Sequence, residues 1–443
     1  MITRIELDGF KTFSDFSLDL RPFSSVVGPN ASGKSNLFDA IRFFSLLAQS
    51  DTFTAMQGLR GEPVELFRRT PSGRCDRMKI ALEVVLGLES DDSFGTPYKL
   101  RSQRLRYELE LSLAKDKSGL PRAVVVQSES CVPIAKKDDR AAWCRKLALS
   151  YSGQLGAFIR MNKQKRVIEI RQDGPKKRGN PVSIPLKDNP RTALSTISTA
   201  EFPHLYALKS YLSNIRFLEL NPNAARTSND RFEERELKSD ASNLSSVLAR
   251  LREDTATERR PEGVVSDISS DLSSLITSVK KIIVRDDALE RQFSFSLELH
   301  DGNEYSSRVI SDGTLRLLAL LTFLNDPRRL STLCFEEPEN GVHEGRIPLL
   351  VEFLRSASSI DVTSPQGLFQ ILINTHSPAV MGNLKDHEIV AADLVTTIDR
   401  EGAKSKKTRM RTGVAPSHDL YDPEKFLTRL EIQQLLERSM DAA

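Results

Sequence analysis

"VVGPNASGKSNL", residues 26–37, decides the reading of this chain. It starts as the end of an apolar strand and passes through Gly28, Pro29, Asn30, Ala31, Ser32, Gly33, Lys34 and Ser35 into Asn36, the spacing of a phosphate-binding loop between strand and helix. Each residue type answers a chemical need. Gly28 and Gly33 lack the Cβ that would keep backbone N–H groups from converging on phosphate oxygens. Lys34 brings a point charge to terminal phosphates, and the Ser35 hydroxyl can coordinate Mg2+. A helix beginning at Asn36 aims its positive end at the same place. The flanks agree: residues 2–27 alternate and then become continuously apolar, predicting two outer strands and a buried one ending at Val27. Beyond the loop, Leu37, Ile41, Phe44, Leu47 and Ala48 fall at helical spacing. The plainer alternative is a glycine-rich turn with a surface lysine.

At 443 residues the chain exceeds the size at which one hydrophobic core stops growing, so at least two subdomains are expected. Its 39% hydrophobic and 28% charged residues are those of a soluble globular protein, and a net charge of +3 does not by itself argue for nucleic acid. Cys75, Cys131, Cys144 and Cys334 form no CxxC pair and no zinc spacing with histidine, which predicts reduced thiols in a cytoplasmic protein. "MITRIELDGFKTF" carries charges where an export signal needs an apolar run. The longest apolar run, "LRLLALLTFL" at 315–324, is interrupted by Arg316 and is about half the length that crosses a bilayer, so no membrane role is expected.

The central region has another character. Leu105, Tyr107, Leu109, Leu111 and Leu113 alternate with polar residues, as in a half-buried antiparallel strand, and similar strands are expected at 79–86 and 293–299. Between about 115 and 200, turn signals such as "DGPKKRGNP" suggest an inserted module. Val264, Ile268, Leu272, Leu275, Val279 and Ile283 predict one amphipathic helix over 264–283. A basic run at 400–411 precedes a short helix at about 424–438. The division expected is 1–72, the first part of a phosphate-loop body; 73–235, a β-rich insertion; 236–290, a helical segment; 291–399, the second part of the body; and 400–443, a basic tail and helix.

Three further stretches extend the phosphate site. In "STLCFEEPENGVHE", 331–344, an apolar strand empties into Glu336 and Glu337; the first carboxylate can hold magnesium, and the second can orient and activate water. A solvated turn is the bland reading of "EEPENG". "VISDGTLRLLALLTFL", 309–324, starts a helix with Ser311 as cap, Asp312, then Gly313 baring backbone N–H groups, then Thr314; taken alone it reads as a buried core helix. "QILINTHSP", 370–378, puts Asn374, Thr375 and His376 after an apolar strand.

In order and content these motifs resemble the ATP-binding-cassette ATPases, specifically the branch that includes RecF, SMC heads and OLD-like ATPases. The resemblance implies an α/β head: a mixed sheet with a P-loop core, an antiparallel β subdomain, a β-rich insertion and a helical subdomain. Gly28 to Ser35 resembles the Walker A loop, Ile310 to Thr314 the signature motif, Glu336 and Glu337 the Walker B pair, and His376 the switch histidine. "DGFKTF", 8–13, is similar to the N-terminal strand motif of RecF and SMC heads. Two departures stand out: Glu336 replaces the usual aspartate, and His343 occupies the D-loop position. A Q-loop glutamine is not identifiable, Gln57 being a weak candidate. Slow or conditional hydrolysis is therefore left open.

The resemblance further implies ATP and Mg2+ as cofactors, catalytic roles for Glu337 and His376, metal contacts from Ser35 and Glu336, and a homodimer or higher oligomer whose heads sandwich ATP, each capping the other's site with Ser311–Thr314. DNA or RNA is a natural partner, with basic stretches 160–178 and 400–411 as candidate contacts and solvated loops as the bland reading. Compactness, and the absence of a long coiled coil or an appended nuclease, favour the ATPase subunit of an anti-phage defence system controlling a separately encoded effector. A RecF-like repair ATPase, a transporter ATPase and a non-hydrolysing scaffold are the competing readings.

Overall fold

The structure, a computed structural model, describes residues 1–71, 73–152, 155–174, 181–185, 189–329, 331–358, 360–362, 367–398, 402, 404–414 and 422–440. Its centre is a seven-stranded sheet in the order Arg216–Leu218, Thr332–Glu336, Gln370–Thr375, Phe23–Val27, Ile389–Ile398, Lys404–Val414, Phe426–Thr428. The first five strands run parallel, and Lys404–Val414 pairs antiparallel with the fifth. Strands buried on both faces read as largely apolar runs, here broken only by small or hydrogen-bonding residues such as Ser24, Ser25 and Gln370. Consecutive residues therefore feed opposite cores. Cys334, Leu372 and Val390 face one hydrophobic cluster, while their neighbours Leu333, Phe335, Ile371, Ile373, Ile389 and Ala391 face the other.

The first cluster lies under helix Lys34–Leu47 and an eight-stranded antiparallel sheet. That sheet runs Val182–Pro185, Val167–Ile170, Ile159–Asn162, Pro121–Pro133, Arg104–Lys115, Arg77–Val85, Ile2–Asp8, Phe16–Asp19. The strands expected as an insertion thus continue the sheet begun at Ile2. Gln370 ties the two sheets together: its amide donates to Ile2 O at 2.8 Å and Arg21 O at 2.9 Å, and its oxygen accepts from Ile2 N at 2.9 Å. Arg104 is fully buried in the antiparallel sheet, where Asp139 receives it bidentately at 2.8 and 2.7 Å.

The second cluster joins helices Leu244–Thr255, Val265–Leu275, Asp312–Leu324 and Ile347–Ala357 with a small sheet of Gln292–Leu299, Val279–Asp287, Asn229–Asp230 and Glu304–Ser306. Here one expectation fails. The helix ends at Leu275, and Val279 and Ile283 belong to a strand. The β-branched run Val279, Ile282, Ile283, Val284 favours the extended chain, and Val279, Ile282 and Val284 are buried.

The stretch read as a basic tail is also different. Lys404–Val414 is a strand of the central sheet, with Arg409 and Arg411 held by Asp393 at 2.7 and 3.0 Å. Among the described residues no helix is long and apolar enough to cross a membrane, and all four cysteines are free.

Candidate functional site

Parallel strands bring their carboxyl ends to one edge of a sheet, the edge where open α/β sheets bind ligands. Here Val27 gives way to Gly28–Ser35, Glu336 to Glu337, and Thr375 to His376, with Glu336, Asn374 and Val26 in register across three strands. The glycines are required by packing. A Cβ on Gly28 would lie 2.4 Å from Ala392 O. Gly33, at φ 96°, would place one 2.1 Å from Thr408 Oγ1. Thr408 and Thr12 share a hydroxyl hydrogen bond of 2.6 Å, and Asn36 Nδ2 donates to Thr12 Oγ1 at 3.0 Å. Thr12 of "DGFKTF" and the antiparallel strand therefore clamp the loop from behind. The helix starts at Lys34, two residues earlier than expected. No side chain caps it and its first turn has no acidic residue, which leaves its first N–H groups to an anion.

Lys34 folds into the loop, donating to Gly28 O at 2.6 Å and Pro29 O at 2.8 Å. Burial pulls its pKa below the usual lysine value, while Glu337 and Glu336 oppose that shift. A cation held by loop carbonyls beneath free helix N–H groups is a cradle suited to phosphate. The donor set also fits a hard cation. The Ser35 hydroxyl makes no hydrogen bond among the described residues, and a guanidinium already sits between its backbone and Glu336. Arg60 donates to Ser35 O at 3.1 Å and stands 3.8 Å from Glu336 Oε1. Mg2+, whose ligands are oxygens, suits the Ser35 hydroxyl and the Glu336 carboxylate.

Glu337 sits at φ 49°, a costly conformation for a residue with a side chain. Its N–H donates to Asn374 O at 2.9 Å, and the side chain is held from both sides. His376 Nδ1 donates to one oxygen at 3.1 Å, and Asn340 Nδ2 to the other at 2.8 Å. Thr375 donates to Glu339, whose carboxyl is pushed up by burial and has a second oxygen without a partner among the described residues. Arg316 reaches in from helix Asp312–Leu324, lying 4.8 Å over the Phe335 ring and donating to Glu336 O. Burial lowers its pKa, opposed by Glu337, Glu339 and Glu336.

Ser311 caps its helix by accepting from Thr314 N at 3.2 Å, and Asp312 pairs with Arg226. Gly313 is packed against Gly341: a Cβ on either would lie 2.6 or 2.3 Å from the other's Cα. Ser311 and Asp312 are exposed, and among the described residues no hydrogen bond or ion pair links them to Gly28–Ser35. Among the described residues no hydrogen bond or ion pair links two other expected residues to Gly28–Ser35. Exposed Gln57 ends helix Thr52–Gln57, and His343 accepts from Gly345 N at 3.1 Å to cap a turn. Of the basic stretches, Arg160 is paired with Glu169 at 2.7 Å, and Lys163, Lys165, Arg166 and Arg171 are exposed. Lys176, Lys177, Arg178 and Arg400 lie outside the described residues.

Sequence reasoning missed Arg60, Arg316, Glu339 and Asn340. "EEPENG" contained the last two, but nothing marked the arginines.

The sequence profile of the family described as "AAA domain, putative AbiEii toxin, Type IV TA system" matches residues 23–140 and 171–382, about three quarters of the chain. Among curated proteins, the chromosome partition protein Smc of Bacillus subtilis is 38% identical over 95 residues, 21% of this chain and 7% of Smc. Smc of Methanocaldococcus jannaschii is 54% identical over 43 residues, 10% of this chain and 4% of that protein. The matches thus span less than a tenth of either relative. A solved Smc head bound to the C-winged helix domain of ScpA aligns over 93% of this chain and 97% of its own, with TM-score 0.50 and 13% identity, which shows the shared fold. The chain belongs to this AAA-domain family and shares the fold of the SMC head.

Proposed function

We propose that Gly28–Ser35 bind the phosphates of ATP, that Ser35 and Glu336 hold Mg2+, and that Glu337 orients and deprotonates the water that attacks the γ-phosphorus. The bridging oxygen leaves with ADP, and His376 keeps Glu337 in position. When bound, the metal neutralises charge on the phosphate oxygens. One observation carries this reading: the Lys34 cradle and the His376–Glu337 pair at 3.1 Å stand on adjacent parallel strands at one sheet edge. Measuring phosphate release by wild type and Glu337→Gln tests it. Loss of the base lowers turnover by on the order of 10²–10⁴-fold, and equal rates refute the assignment.

ATP then serves as a switch. Among the described residues the Ser311–Thr314 tip makes no bond to its own phosphate loop, and the backbone N–H groups of Asp312 and Gly313 are left to cap the γ-phosphate of a second copy, with hydrolysis releasing the pair. Light scattering of Glu337→Gln and Lys34→Ala with and without ATP decides this. A doubled mass confined to Glu337→Gln with ATP is expected; an unchanged mass in both refutes dimerisation. The toxin wording of the family description, and the ScpA domain seated on the solved SMC head, support control of a separately encoded effector in anti-phage defence. Lys163, Lys165, Arg166 and Arg171 are the proposed DNA or RNA contacts.

A further inference from the structure

A second cleft lies at the opposite edge of the central sheet. Strand Phe23–Val27 begins just after Arg21 and strand Ile389–Ile398 just after His387, so these residues sit roughly 20 Å from the phosphate loop at about 3.3 Å per residue. The cleft of about 830 Å3 lies between the connection that joins strands Pro121–Pro133 and Ile159–Asn162, which contributes Arg140 and Trp143, and the segments that flank the end of the central sheet, which contribute Lys385, Phe426 and Arg429.

Its charge is unbalanced. Arg21, Arg140, Lys385 and Arg429 face two carboxylates, Asp19 and Asp386. Both are engaged: Asp19 receives Arg4, outside the cleft, at 2.7 Å, and Asp386 neutralises the cleft's own Arg429 at 2.9 Å. Among the described residues the side chains of Arg21 and Lys385 form no ion pair with a carboxylate, although the Lys385 backbone N–H donates to Glu388 at 2.7 Å. Arg140 reaches only Glu6, at 3.5 Å, and Glu6 is already held by Arg106 at 2.6 Å and Arg4 at 2.7 Å. The field is felt locally: burial first, then Arg21, depress the pKa of His387 on the cleft wall. Beside Arg21, Lys385 and the weakly held Arg140 lie two partly exposed aromatic rings, Phe426 and Trp143, the latter packed in part against Met1, Val85 and Leu368.

Cations that lack carboxylate partners attract phosphate, and an open indole face stacks on bases. We propose that this cleft binds a phosphate-bearing ligand that also carries an aromatic base, with Arg21, Arg140 and Lys385 on the phosphates and Trp143 against the base. A free nucleotide and a segment of single-stranded nucleic acid share that chemistry. The site is separate from the phosphate loop and independent of the ATPase reading.

Trp143 is the one tryptophan in the chain, so its emission reports this cleft alone. In a Lys34→Ala background, which silences the phosphate loop, the protein is titrated with an oligothymidylate of about twelve nucleotides, with thymidine monophosphate, and with an oligoglutamate of equal length. Quenching by the oligonucleotide is expected, and its affinity should fall roughly 20-fold between 50 and 200 mM salt for three phosphate contacts on a single strand. Quenching by the mononucleotide at comparable concentration would assign the site to free nucleotides, and quenching by the oligonucleotide alone to nucleic acid. Combined Arg21→Ala, Arg140→Ala and Lys385→Ala should abolish the response. Exposed Lys385→Glu, which threatens no packing, should weaken it on its own. The proposal is overturned if neither thymidine probe changes the emission, if the triple variant responds like its parent, or if oligoglutamate quenches equally.

Discussion

Replacing Gly33 with alanine tests how the phosphate loop is held. Two separate penalties follow from the structure. At φ 96° a side chain carries the left-handed cost of roughly 1–2 kcal/mol. The new methyl would also stand 2.1 Å from Thr408 Oγ1, 2.9 Å from its Cγ2 and 3.0 Å from its Cβ, an overlap worth about 1–3 kcal/mol once neighbours shift. Gly33→Ala alone should therefore destabilise by roughly 2–5 kcal/mol. Thr408→Ala alone loses the Thr12 hydroxyl bond and costs about 1 kcal/mol. In the double variant the two closest atoms are gone and only the contact to Cβ remains, so most of the overlap vanishes while the dihedral cost stays. The double should be more stable than the sum of the singles predicts, by about 1–2 kcal/mol. Urea midpoints of the four proteins supply the cycle, and binding of a fluorescent ATP analogue reports whether the loop keeps its shape. Additivity within about 0.5 kcal/mol would mean that Thr408 does not press on the loop, and the clamp would be wrong.

The remaining expectations concern other levels of the structure. Arg104→Ala leaves Asp139 buried without its bidentate partner, so thermal unfolding should show a loss of about 3–5 kcal/mol; a shift under about 1 kcal/mol would contradict the buried pair. Burial pushes the Glu129 carboxyl up to about 7, so between the ordinary carboxylate range and pH 7 the folded state binds more protons than the unfolded one, and stability contributed there is lost as pH rises. Relative to Glu129→Gln, wild type should lose on the order of 3 kcal/mol from pH 5 to 8; a pH-independent gap refutes this. Gly341→Ala, with a Cβ 2.3 Å from Gly313 Cα, should disturb the Ser311 tip. ATP-dependent mass by light scattering should fall by about half while affinity of the monomer for nucleotide stays within a few-fold. Undiminished dimerisation would free the tip from that contact.

The phosphate loop was legible because its chemistry is written in eight consecutive residues, and the carboxylates because they follow directly on the apolar run Leu333, Cys334, Phe335. What holds the loop was not legible. Thr12 and Thr408 are separated by 396 positions, and no local pattern announces that a strand beyond the last motif returns beside the first helix. That strand was hidden by its own charge. Lys404, Lys406, Lys407, Arg409 and Arg411 read as a solvated run, but an extended chain alternates, so Thr408 and Met410 turn inward while Arg409 and Arg411 lie along the sheet to reach Asp393.

The helix expected over 264–283 fails for a related reason. Val279 and Ile283 continue the helical spacing, but a register shift after Val279 puts Val279, Ile282 and Val284, not Ile283, on the buried face, and only the β-branching of this run separates strand from helix in the sequence. Arg316 shows the same limit within the site. In sequence it merely interrupts an apolar helix; in the fold its stem lies over Phe335 and its head donates to the carbonyl of Glu336. A helix that supplies an exposed tip at Ser311 and, one turn later, an arginine to the Glu336–Glu337 bend links the two in one rigid element. Any displacement of the tip by a second copy must therefore be felt at the carboxylates, a coupling that charge, spacing and composition do not encode.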